Sequence, residues 1–207
     1  AHKLEPERPE PMIQLKNIYL VDLKDDIKAE QILHQLLQKD PDKLEYLMEM
    51  GTFYYNKGNY AEAVKYFEKA KPQIPTNIDN LMNISACYYE LKDYEKAMST
   101  TKAALEIEPN NVDLLNNARS IAAQINDIDQ AIFYLKKLLE IRPNEDDFGL
   151  LATYLYNKQD WQELIKYAEQ WYNWDKSNKI AIEYIIWAAQ QTGNKQLESK
   201  YTAIKKT

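Results

Sequence analysis

Two histidines, one cysteine and four glycines are what this 207-residue chain offers for catalysis, metal binding or phosphate binding. His2 lies in a proline-rich lead and His34 has no Ser, Cys or Asp partner in any recognisable arrangement. Cys87 stands beside Tyr88 in a helical pattern, where a buried, inert thiol is expected rather than a nucleophile. Gly51, Gly58, Gly149 and Gly193 are too far apart to build a phosphate-cradling loop, and no zinc-protease or dinucleotide motif occurs. No catalytic residue, metal site or cofactor is therefore expected. The carboxylates Glu45, Asp79, Asp113 and Asp146 recur in phase and could form a row for a basic peptide or a metal. Each also falls in the first turn of a helical segment, where the macrodipole favours negative charge, and that is the expected role.

Composition narrows the partner. With 26 Lys and Arg against 32 Asp and Glu, the net charge is -6, so the basic surface that nucleic acid requires is missing. No apolar run approaches the ~18 residues of a membrane helix. The chain begins at Ala1 rather than Met, compatible with an upstream segment having been removed and with either a cytoplasmic or a periplasmic setting.

The elements follow from periodicity. Pro41, Pro75, Pro109 and Pro143 are each 34 residues apart (75−41, 109−75, 143−109). Asp25, Asn59, Asp93, Asp127, Asp160 and Asn194 step by 34, 34, 34, 33 and 34. Side-chain oxygens at these places suit the N-cap of a second helix in each unit. Ala29, Ala63, Ala97 and Ala131 follow four residues later, marking a close helix–helix approach. Leu47, Leu81, Leu115 and Phe148 recur in the first helix; Leu33, Phe67 and Leu135 share a slot in the second. Each unit reads as helix, turn, helix and a proline stop.

These residues resemble the tetratricopeptide repeat. Residues 44–77 fill the signature with Leu47, Met50-Gly51, Tyr54, Ala63, Phe67, Ala70 and Pro75; 78–111 follows with Leu81, Ile84-Ser85, Tyr88, Ala97, Ala104 and Pro109. Unit 112–145 departs at Arg119, where the family has a small residue. Unit 145–178 echoes the first at an offset of 101, with Tyr156-Asn157-Lys158 matching Tyr55-Asn56-Lys57. The resemblance implies an all-α, right-handed α-solenoid over 10–207. Its units are about 10–43, 44–77, 78–111, 112–145, 145–178 and a degenerate capping pair, 179–207. An extended Pro-rich lead is expected over 1–9.

The resemblance also implies that first helices line a concave groove. Mapped onto it, Met48, Thr52, Tyr55, Asn83, Tyr89, Asn116, Asn117, Ser120, Thr153 and Tyr156 face inward. Asn amides match both N–H and C=O of a peptide backbone, and Tyr supplies flat contact area. The expected role is a non-catalytic scaffold that binds a segment or helix of another protein. Family members that grip the acidic C-terminal tails of chaperones do so with Lys, Arg and Asn. Here Asn83 matches, but Met48, Asp113 and Asn117 fill the cationic places and Thr52 replaces an Asn, which speaks against such a carboxylate clamp. Two alternatives remain open. One is self-assembly, or a place in an envelope complex, through the convex face or the ends. The other is carbohydrate or cell-wall binding through the late tryptophans Trp161, Trp171, Trp174 and Trp187.

Overall fold

A computed structural model of the protein describes residues 9–19 and 25–206, and the side chains of all of these but 9–11 and 17. The described residues are all-α, with no strand among them. The helices are α1 (Pro9–Asn17), α2 (Asp26–Lys39), α3 (Leu44–Asn56), α4 (Tyr60–Ala70), α5 (Ile78–Glu90) and α6 (Tyr94–Ile107). They continue as α7 (Val112–Gln124), α8 (Ile128–Ile141), α9 (Glu145–Asn157), α10 (Trp161–Trp174), α11 (Lys179–Gln191) and α12 (Lys195–Lys205). Contacts divide the chain into two compact units, Ala1–Ile107 and Glu108–Thr207, described separately below.

The extended lead expected over 1–9 lies outside the described residues up to position 8. Pro9 opens α1 instead, and Pro11 also falls in its first turn. Proline costs nothing there, because first-turn N–H groups have no helical acceptor.

The periodic Asn and Asp residues act as caps. Asp25, Asn59, Asp93, Asp127, Asp160 and Asn194 accept the backbone N–H of Lys28, Glu62, Lys96, Gln130, Glu163 and Leu197, at 3.0–3.3 Å. The residue before five of these caps has positive φ: Gly58, Lys92, Asn126, Gln159 and Gly193. That left-handed residue closes each turn, and the cap's own N–H returns to a carbonyl near the end of the preceding helix, as from Asn59 to Tyr54. A second cap series was not expected. Asn77, Asn111, Asn144 and Asn178 cap α5, α7, α9 and α11. Glu45, Asp79, Asp113 and Asp146 do lie in first turns of α3, α5, α7 and α9.

The recurrent apolar slots make the core. Ala29, Ala63, Ala97 and Ala131 are fully buried, which lets the second helix of each pair approach the first. In the first unit Phe67, Ile84 and Cys87 pack with Met48, Tyr55 and Tyr60. In the second, Leu135, Leu151, Leu155 and Trp171 anchor the largest cluster, and Ile182, Ile185 and Tyr201 seat α12.

Candidate functional site

In the first unit, α3 brings Met48 and Thr52 to a cleft of about 710 Å³. Leu33, Phe53 and Asn56 line it too, with two ion pairs at its sides, Lys16–Glu49 and Lys57–Asp26. Lys16 is buried and holds Glu49 at 2.6 Å. Thr52 is exposed and Met48 half-buried, its other side in the core. Asn83, on α5, is half-buried and makes no side-chain hydrogen bond among the described residues.

The tyrosines behave differently from free groove anchors. Tyr55 meets Tyr60 edge-on, with ring centroids 5.2 Å apart; Tyr89 meets Tyr94 in the same way at 5.4 Å. In the second unit Tyr156 meets Trp161 at 6.0 Å. In α3, α5 and α9 the last aromatic thus leans on the first residue of the following helix. Burial, reinforced by Glu90, pushes the Tyr55 phenol above its usual range, so it remains a neutral hydroxyl. Only part of each ring is left for a partner.

In the second unit, Asn116, Asn117 and Ser120 lie half-buried on α7, and none makes a side-chain hydrogen bond among the described residues. Thr153 is exposed; its hydroxyl donates to the Gly149 carbonyl and lies 3.4 Å from the Tyr184 hydroxyl. Tyr156 belongs to a cleft of about 340 Å³ with Ile180, Glu183, Tyr184 and Trp187. Its ring stacks on Trp187 at 4.2 Å. The late tryptophans split by environment. Trp171 is buried against Phe148, whereas Trp174 is half exposed. Trp161 and Trp187 sit edge-to-face in the Tyr156 cluster.

Burial pushes the Cys87 thiol up to about 12, leaving it protonated at any physiological pH. No group of three His, Cys, Asp or Glu residues among the described ones could hold a metal ion. No described helix is long and apolar enough to cross a membrane.

Known proteins place this architecture. A family model described as anaphase-promoting complex, cyclosome, subunit 3 matches residues 26–104 and 56–126. A tetratricopeptide repeat model matches 114–145. The chain belongs to the tetratricopeptide repeat family. No curated protein matches it. Among solved structures it is similar to the C-terminal part of a TPR repeat-containing protein from Cytophaga hutchinsonii, at 24% identity and a TM-score of 0.70, over 87% of this chain and 74% of that one. A tetratricopeptide repeat protein from Parabacteroides merdae matches at 20% identity and a TM-score of 0.65, over 95% and 77%. A chain in the structure of Naa15/Naa10 bound to HypK-THB matches at 14% and 0.66, over 94% of this chain but 30% of that one. At these identities the likeness is one of fold. Tetratricopeptide repeats serve in general as non-catalytic scaffolds for protein–protein interaction.

Proposed function

We propose that the protein is a non-catalytic scaffold whose first helices hold an extended segment or a helix of a partner protein. One observation carries the reading. Asn83 in the first unit, and Asn116, Asn117 and Ser120 in the second, are only half-buried and have unspent hydrogen-bonding groups among the described residues. An amide that donates and accepts suits a peptide backbone, whose N–H and C=O must both be matched when water is displaced. Met48 and Thr52 add a cleft with an apolar floor, large enough for a side chain of the partner. By analogy of fold alone, the Naa15/Naa10 assembly with HypK-THB supports a place among protein complexes.

The absence of Lys or Arg at Met48, Asp113 and Asn117 argues that this partner is not an acidic chaperone tail. The net charge argues against nucleic acid. The test is affinity capture from extract of the source organism, read by mass spectrometry, with three baits of equal fold by circular dichroism. They are wild type, Thr52→Arg/Asn83→Arg on first helices, and Lys65→Glu/Lys102→Glu on second helices. A protein held by wild type and the second-helix variant but lost by the first-helix variant supports the reading. Equal capture by all three moves the site elsewhere and overturns it.

A further inference from the structure

The α9–α11 cleft stays open beside the core, although Tyr184 packs in part against that core. Ile180, Glu183, Tyr184 and Trp187 fall at i, i+3, i+4 and i+7, one stripe of α11, and Tyr156 closes the cleft from α9. The buried face of α11 is a different set: Ala181, Ile182, Ile185, Ala188 and Ala189. Ile180 remains 52% exposed and Tyr156 38%. A helix that seats itself on one face and leaves Ile180, Tyr184 and Trp187 around an open cleft, with Tyr156 of α9 opposite, has a second surface to fill.

Charge decides what fills it. Among the residues that line the cleft, Glu183 carries a charge and none is basic. The faces of aromatic rings add negative quadrupole, and a carboxylate stands among them. Glu183 already attracts a cation. Lys205 Nζ donates to it at 2.8 Å, in a pair open to solvent on both sides. Such a pair is worth little and exchanges readily for an incoming cation. An anionic or purely apolar ligand would leave Glu183 unmatched or desolvated.

We infer that this cleft takes the side chain of an arginine or lysine in a partner's segment. The aliphatic stem lies along Ile180, the charged head packs on the Tyr184 and Trp187 rings, and Glu183 is its counter-charge. Arginine fits best, because its planar fork stacks on an aromatic face while bonding a carboxylate with two N–H groups. The inference rests on the partner-binding reading above and gives the partner a chemistry, a basic segment.

The test uses a random dodecapeptide library displayed on phage and panned against the full chain. Peptides selected by wild type should be enriched in Arg or Lys, and replacing that arginine by citrulline should abolish binding. Glu183→Lys should lose these peptides by tenfold or more. Lys205→Ala, which also breaks the native ion pair, should keep them. Tyr184→Leu, checked for fold by circular dichroism, should weaken them about two- to fivefold, the size of an exposed cation–π contact. Selected peptides without basic enrichment, equal binding by Glu183→Lys, or equal loss in Lys205→Ala each overturn this inference and leave the scaffold reading standing. A chain that selects no peptide at all counts against the scaffold reading itself.

Discussion

A Cβ atom placed on Gly51 would stand 2.5 Å from the Phe67 ring. That contact explains why α3 and α4 approach so closely, with Ala63 and Ala70 fully buried beside it. Gly51→Ala gains ~1 kcal/mol of helix propensity. It must also move a fully buried ring, and overpacking of this kind costs ~1–3 kcal/mol. The expected result is a loss of stability in urea unfolding, recovered when Phe67→Leu is added to make room. A stabilised Gly51→Ala would show that the ring gives way freely.

The turn before α10 holds Gln159 at φ 59, where two other turns have Gly58 and Gly193. Left-handed backbone costs a residue with a Cβ ~1–2 kcal/mol. Gln159→Gly should therefore raise the melting temperature of the protein, despite the added freedom of the unfolded chain. Gln159→Val, β-branched at the same place, should lower it. A thermal scan of both variants settles the sign.

How much of this could be read from sequence depends on whether a residue's role is local. Asp127 caps α8 because its side chain needs only a backbone N–H three residues on, so spacing alone announces it. The caps Asn111 and Asn144 were equally local and repeat in phase. Neighbouring Asn and acidic residues, Asp113 and Asp146 among them, mask that repeat in the sequence. The resemblance assigns Tyr55 to an inward-facing slot, but its contact with Tyr60 crosses a turn whose geometry periodicity does not supply. The cleft beside Met48 was out of reach altogether. It needs Lys16 of α1, in the repeat whose signature is weakest, to meet Glu49 of α3.

Arg119 stands where the preceding repeat has Ser85, whose hydroxyl pairs with Thr101 and bonds the Ala97 carbonyl. In the Arg119 repeat the place of Thr101 is taken by Leu135, fully buried, and the Arg119 Nε is buried without a partner. A buried donor left unmatched costs ~1–3 kcal/mol. Arg119→Met keeps a long stem and removes the donor, and it should raise the midpoint of chemical unfolding. Arg119→Ser supplies a hydroxyl but empties the space and should lower it. If both variants lose stability to the same extent, the unmatched donor is not what matters at this position.

The Cys87 thiol titrates at about 12 in the folded chain against 9.0 when exposed, because burial disfavours the thiolate. The sign follows from proton binding: between those values the folded state keeps a proton that the unfolded state has lost. Its contribution to stability is complete below pH 9.0 and declines as pH rises toward 12. Cys87→Ala should flatten this alkaline decline. At pH 8, a disulfide reagent such as DTNB should react with wild type only as fast as the protein opens, and at once in denaturant. Rapid labelling of the native protein would show the thiol to be accessible.

Lys16 is the only lysine with a buried side chain among the described residues, and its ammonium is held by Glu49 across the cleft that Met48 and Thr52 line. Glu49 is about one third exposed, so water shares in the pair; breaking it costs less than the ~3–5 kcal/mol of a fully buried one. Glu49→Leu strands the ammonium against an apolar neighbour and should release α1 before the rest of the first unit unfolds. Hydrogen exchange resolves this: amides of α1 should lose protection while those of α5 keep theirs. Lys16→Met/Glu49→Leu replaces the pair by apolar contact and should restore protection to α1, since replacing both partners avoids the lone buried charge. Restoration would separate docking of α1 from any role of these charges in binding, because the double variant would then present an intact cleft without them. Should α1 stay unprotected in the double variant, the ion pair itself and not the packing around it holds that helix in place.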